Sequence, residues 1–319
     1  MQPNPLLCIC VYYNPCGYEQ RLINYRTFRS HLQAPLLTIE LAYGSKPFVL
    51  QNETGRLIQL RTNSILWHKE NLINIALKSV GEEYPYVALV DGDILFGNPA
   101  WYDDAIAALK SVEIVQLFEH RVLLQPGVQS LPTEYDGQVG WGPEERIPGI
   151  IKACKDLRLD DQVKGARVLI RGMGNPGYGW AMRKEVLAKG LYDRLIIGGG
   201  DNILAWLALR IELFPSLPNK LQAHYEAWKS TTSLFTSSCL SGDLFHLFHG
   251  TLERRIYMKR LAVLNHHDYD PAEDVAYDDS GLLMWTGNKP NFQRNMLDYF
   301  EYRQEDMGVA SVPSHLREL

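Results

Sequence analysis

The sequence predicts an α/β fold: a mixed, mostly parallel sheet flanked by helices, in a single large domain with a C-terminal extension. Three observations carry the prediction: a strand–helix–strand opening over residues 6–41, an apolar run at 86–96 that ends its strand in two carboxylates, and an alternation of five or six strands with three helices before residue 125. At 319 residues the chain can bury a full core without disulfide staples.

Residues 6–13, LLCICVYY, form a short apolar run ending at Asn14-Pro15, which reads as a buried strand followed by a turn. From Tyr18 the spacing of Leu22, Tyr25, Phe28 and Leu32 is helical, Pro35 breaks the helix, and 36–41 follow as a second strand. In nucleotide-binding folds the first such loop lies beside the ligand, so Tyr12, Tyr13 and Asn14 are candidates to hold a base or ribose; a turn that only packs is the alternative. Residues 48–50 and 57–60 are short strand candidates. The stretch LWHKENLINIALKSV, 66–80, is an amphipathic helix on which Lys69, Glu70 and Asn74 read as a solvated face.

The central element is YVALVDGDILF, residues 86–96. Tyr, Val, Ala and Leu follow one another without polar alternation, the pattern of a strand buried on both faces. In open α/β sheets ligands bind beyond the carboxyl ends of such strands, which delivers Asp91 and Asp93 to a shared crevice, with Gly92 easing the turn between them. Hard oxygen ligands suit Mg²⁺ or Mn²⁺, ions that leave positions open for substrate phosphates. A solvated turn is the alternative, but the apolar Ile94, Leu95 and Phe96 that follow argue against it.

A helix at 101–109 and one strand over 113–124 come next. Residues 126–170 are rich in Gly and Pro, as functional lids or binding insertions often are, with one short helix at 150–157. In MGNPGYGWAMRKEVLAKG, 173–190, the glycines permit close backbone approach and Trp180 offers a flat face for sugars or bases, with 181–188 continuing as a helix. IIGGGDNILAWLALRI, 196–211, repeats the design, placing Asp201 and Asn202 at a helix start, where Asp201 suits an N-cap. DLFHLFHG, 243–250, sets His246 and His249 three apart, either as packing residues or as a pair facing one metal. Arg254, Arg255, Lys259 and Arg260 then form a basic cluster suited to phosphate. A last amphipathic helix is expected over 291–303.

The 32 Lys and Arg against 37 Asp and Glu give a net charge of -5 with no block of one sign, which disfavours sequence-independent nucleic-acid binding. The five cysteines include no CxxC pair and read as reduced thiols. With no apolar window of roughly 18 residues and no basic leader, a soluble cytoplasmic protein is expected.

Together VDGDILF, PGYGWAMRKEVL with IIGGGDN, and DLFHLFHG resemble the nucleotide-sugar glycosyltransferases of the GT-A fold, over most of the chain. VDGDILF looks like their DxD motif, the glycine-rich pair is similar to the acceptor-side segments of galactosyl- and N-acetylgalactosaminyltransferases, and DLFHLFHG is like their late metal-binding histidine. YYNPCGYEQRLINYRTF, LWHKENLIN, GLLMW and YFEYRQED are similar to an uncharacterised bacterial and viral subgroup. The resemblance implies a GT-A domain over 1–260, with a donor half at about 1–125 and an acceptor half at about 170–260, and a C-terminal wrap over 261–319. It implies a nucleoside-diphosphate sugar donor held by Tyr12, Tyr13, Asn14, Lys69, Asp91 and Gly92. Gly179, Trp180, Asp201 and Asn202 would meet the acceptor, and Asp201 would be the catalytic base. Mn²⁺ or Mg²⁺ would sit on Asp91, Asp93 and His249, with His246 as the substitute. A glycan, a lipid-linked sugar, another hydroxyl compound or, least favoured by the net charge, a hydroxylated base in DNA would accept the sugar. Inverting enzymes of this type carry a run of acids after the glycines, whereas here Asp201 stands alone before Asn202. A metal-dependent phosphohydrolase and a non-enzymatic carbohydrate-binding protein are the rival classes.

Overall fold

The computed structural model describes residues 4–51, 55–132, 146–157, 174–210, 217–233, 235–256 and 260–306. Much of the 126–170 insertion, Lys259 and the end of the C-terminal extension lie outside the described residues. The first half contains β1 (Leu6–Tyr13), α1 (Glu19–His31), β2 (Leu36–Tyr43), β3 (Arg56–Thr62), α2 (Lys69–Leu77), β4 (Tyr86–Val90), β5 (Ile94–Phe96), α3 (Trp101–Leu109), β6 (Ile114–Gln116) and β7 (His120–Leu123). Next come β8 (Arg146–Pro148), α4 (Ile150–Asp156), β9 (Gly179–Arg183), α5 (Gly200–Leu209), α6 (Asn219–Ser230), β10 (Ser237–Cys239) and β11 (Asp243–His246). The chain closes with α7 (Arg260–His266), the antiparallel hairpin β12 (Val275–Tyr277) and β13 (Leu283–Trp285), and α8 (Pro290–Tyr302).

The main sheet has seven strands in the order β10-β6-β9-β4-β1-β2-β3. All neighbours are parallel except β9, which runs antiparallel to both β4 and β6. The expected α/β class, a mostly parallel sheet flanked by helices, is therefore the one found. Alternate side chains feed two cores: Leu7, Ile9, Val87, Leu89, Trp180 and Met182 pack on one face, and Leu6, Cys8, Ala88, Val90 and Ala181 on the other. A second sheet, β5-β11-β7-β8, stands beside it and closes over its own cluster of Leu95, Val122, Phe245 and Leu247.

Four expected elements differ. Residues 48–50 form no strand, because the Val49 and Leu50 amides donate to the buried Glu40 carboxylate instead of to a ladder. The single strand over 113–124 is two: β6 ends as Leu117 N–H turns to the Gly179 carbonyl, and β7 joins the other sheet. The helix at 66–80 begins only at Lys69, since Trp67 N–H bonds to the Ile196 carbonyl. The helix at 181–188 is strand β9 followed by one short 3-10 turn at Lys184–Leu187, because Trp180 and Met182 fill one core while Ala181 fits the other. Among the described residues no helix is long and apolar enough to cross a membrane.

Candidate functional site

A cleft of about 500 Å³ opens where β1 and β4 end. β4 delivers Asp91, whose N–H is fixed by the Tyr178 carbonyl at 2.9 Å. Asp93 is placed by the second sheet. β5 pairs with β11 so that Ile94 faces His246, and Leu247 N–H donates to the Asp93 carbonyl at 2.8 Å. These backbone bonds bring the strand-end acid and the two histidines together although they lie far apart in the chain.

The Asp93, His246 and His249 side chains offer one carboxylate oxygen and two imidazole nitrogens within 4.8 Å of one another. Asp93 Oδ2 lies 3.0 Å from His249 Nε2 and 3.6 Å from His246 Nε2, and the two Nε2 atoms are 3.1 Å apart. Burial pushes His246 down to about 3, so its ring is neutral and has a lone pair to offer. Against the cost of burial, the contacts to both imidazoles hold the Asp93 carboxyl well below the usual carboxylate range. Asp93 Oδ1 is buried with no hydrogen-bond partner. Converging donor atoms with an orphaned oxygen form a set that fits a divalent cation. Asp91 departs from the expected ligand set, because it is paired elsewhere.

Its partner is Lys69. The first residue of α2 extends its Nζ to within 2.7 Å of Asp91 Oδ1 and 2.9 Å of Asp201 Oδ1. Burial works against the ammonium, yet the two carboxylates hold its pKa well above the ordinary lysine value. Burial raises Asp91 to about 6 against the pull of Lys69. The expected solvated face of this helix is thus buried: Glu70 is 4% exposed and packs against Gly200, while Asn74 bonds both backbone groups of Leu191. Burial also raises Glu70 to about 8, so it is protonated at neutral pH and leaves Lys69 to the two aspartates.

Asp201 reaches this pair from the first turn of α5 and is not its N-cap. The cap is Gly199, held at φ +111°, a conformation that favours glycine. Asn202 lines the cleft beside it.

The C-terminal segment completes the far wall. Glu305, 1% exposed, takes bonds from Arg21 and Arg303 and lies 3.7 Å from His249 Nδ1. Burial would raise its carboxyl, but the two guanidinium groups hold it well below the usual range. Gly250 makes room: a Cβ there would sit 3.1 Å from the Arg303 carbonyl oxygen, and its φ is +86°. Arg255 Nη2 lies 3.1 Å from His249 Nε2, and Arg260 also lines the cleft.

Of the remaining sequence candidates, Tyr12, Tyr13 and Gly92 line the cleft. Gly92 is needed for close approach, since a Cβ would lie 3.2 Å from Cys10 Sγ. Asn14 is a turn residue: its side chain takes the Gly17 and Tyr18 amides and donates to the Tyr18 carbonyl. Trp180 is no stacking platform. It is 1% exposed within the sheet, its Nε1 donating to the Pro176 carbonyl, and a Cβ on Gly179 would meet Leu117. The ring that this segment brings to the cleft is Tyr178, at φ +79° and 4.7 Å from the His246 ring. Sequence reasoning missed Tyr178, Glu305, Arg21 and Arg303; the only local sign was a tyrosine held between two glycines.

No family model and no curated protein sequence matches the chain. Among solved structures, the 1–349 segment of TarS from S. aureus is similar at 15% identity, over 82% of this chain and 68% of that one, with a TM-score of 0.38. Glucosyl-3-phosphoglycerate synthase from Mycobacterium tuberculosis, solved with Mn²⁺, UDP and phosphoglyceric acid, is similar at 10% identity, over 85% and 80%, with a TM-score of 0.37. A 4-diphosphocytidyl-2C-methyl-D-erythritol synthase from Anaerococcus prevotii is similar at 10% identity, over 74% and 86%, with a TM-score of 0.31.

Proposed function

We propose that this chain is a metal-dependent glycosyltransferase of the GT-A type, moving a sugar from a nucleoside-diphosphate sugar, a UDP-sugar first among them, to an acceptor hydroxyl. One observation carries the reading: the Asp93, His246 and His249 cluster and the Lys69-held Asp201 face one cleft at the end of β4.

Asp93, His246 and His249 would hold the cation, and two imidazole donors favour Mn²⁺ over Mg²⁺. When bound, it supplies Lewis-acid neutralisation of the charge that develops on a departing diphosphate. Arg255 and Arg260 add positive charge on the same side. Tyr12 and Tyr13, on opposite faces of β1, flank the space for base or ribose. Lys69 fixes the Asp201 carboxylate, which takes the acceptor proton as general base.

The test is incubation with a panel of UDP- and GDP-sugars, with and without Mn²⁺, following release of nucleoside diphosphate. Slow, metal-dependent release supports transfer. Turnover of phosphate esters with no sugar donor would make it a phosphohydrolase, and glycan binding indifferent to metal and nucleotide would make it a carbohydrate-binding protein.

A further inference from the structure

Arg121 lies on β7, is 4% exposed, and lines the cleft. Its Nε and Nη1 are buried without a hydrogen-bond partner, and among the described residues it forms no ion pair. Three other cations of the cleft are neutralised by carboxylates: Lys69 bridges Asp91 and Asp201, and Arg21 and Arg303 share Glu305. The register partners of Arg121 are Leu244 on β11 and Ile147 on β8, neither of which can accept a hydrogen bond through its side chain. His246 follows Leu244 by two positions and shares its face, so Arg121 stands beside the Asp93, His246 and His249 cluster.

A guanidinium keeps its charge at any pH a protein survives, and a buried charge without a counter-ion is destabilising. Such a residue is poised for an anion that arrives with the ligand. The donor's diphosphate does not need it, because the divalent ion that Asp93, His246 and His249 would hold, with Arg255 and Arg260 in the same cleft, would already offset that charge. We infer that Arg121 forms a subsite for a second oxyanion, a phosphate or carboxylate that one of the substrates carries besides the donor diphosphate, bound through the planar N–H fork. The placement of this subsite within the reaction rests on the transferase reading above; the capture of an anion by Arg121 does not. The oxyanion belongs either to an anionic acceptor or to a uronic donor sugar.

Arg121→Met and Arg121→Gln decide the matter, with thermal shift and calorimetric titration as readouts. Without ligand, Arg121→Met should melt higher than wild type, since it removes an unpaired buried charge; Arg121→Gln serves if the methionine variant does not fold. With UDP and Mn²⁺ saturating, glycerol 3-phosphate should bind wild type where glycerol does not, and either variant should weaken it by about tenfold or more. That result assigns the anion to the acceptor. If instead UDP-glucuronate binds more tightly than UDP-glucose and loses that advantage in the variants, the anion belongs to the donor sugar. Should UDP and Mn²⁺ fail to bind while inorganic phosphate alone still binds through Arg121, the transferase reading falls and the subsite stands. Equal affinities of wild type and variants for phosphate, glycerol 3-phosphate and UDP-glucuronate would overturn the inference.

Discussion

Lys69 Nζ lies 2.9 Å from Asp201 Oδ1, so the first residue of α2 holds a carboxylate on the first turn of α5 across the floor of the cleft. Asp201→Asn keeps the shape and removes the basicity. Transfer should fall about 10²- to 10⁴-fold, while stability changes by about 1 kcal/mol or less, since Lys69 retains Asp91. UDP and Mn²⁺ binding should persist. Wild-type turnover in this variant would mean that the departing phosphate takes the acceptor proton, as in a retaining mechanism.

Asp93→Ala removes the only acid from a group of three possible metal donors. Mn²⁺ binding, followed by titration, should be lost, and with it the rise in melting temperature that UDP plus Mn²⁺ confers on wild type. His249→Ala and His246→Ala should each weaken Mn²⁺ binding as well. Near-normal Mn²⁺ affinity in Asp93→Ala would place the ion elsewhere.

Glu305, itself buried, is the common acceptor for the buried Arg303 guanidinium and the partly exposed Arg21 guanidinium. Glu305→Gln leaves both undercompensated and should cost about 3–5 kcal/mol in urea unfolding. Because the carboxylate also stands behind His249 Nδ1, Mn²⁺ affinity should fall about 10- to 100-fold in the folded protein. An unchanged Mn²⁺ affinity would reduce Glu305 to a structural residue.

Trp180→Ala empties a large site in the sheet core and should cost about 3–5 kcal/mol. In the fraction that remains folded, donor and acceptor KM should match wild type. Tyr178→Ala, at the cleft, should show the reverse: a changed KM and a smaller loss of stability.

His68 is fully buried, and burial lowers its pKa from 6.5 to about 4 despite the bond from Nε2 to the Ser64 carbonyl. The folded state therefore resists a proton that the unfolded chain accepts. The stability tied to this group is complete above pH 6.5 and is lost as the pH falls toward 4, at about 1.4 kcal/mol per pH unit. The stability difference between wild type and His68→Gln should accordingly shift by about 3 kcal/mol between pH 7 and pH 4. Parallel curves for the two proteins would show that His68 is protonated in the fold.

The elements that the sequence made legible are those whose burial repeats along the chain. β1, β4 and α3 follow from apolar runs and periodicity, and the strand-end acids and late histidines follow from where those runs stop. β9 was not legible, because a strand buried on both faces shows no alternation and GWAM suits a helix as well. The burial of Trp180 is illegible for a related reason: parity along a strand decides whether a ring meets ligand or core, and the sequence does not show the strand. Polar positions on α2 look the same whether they face water or a cleft, so Lys69 and Glu70 read as solvated. Glu305 meets Arg21 across 284 residues, a separation that leaves no trace in local spacing.

The antiparallel β9 also sets the order in which the protein can be built. β4 and β6 are synthesised in sequence but do not touch, since the strand that joins them is made later. While residues 97–178 emerge from the ribosome, β4 has an open edge toward the missing strand, and four of its five residues are ones the finished sheet buries. An unpaired apolar edge is a template for intermolecular pairing. Nascent chains arrested before Gly179 should therefore bind holding chaperones or aggregate, and release should follow once Arg183 has cleared the exit tunnel and β9 can pair with β4.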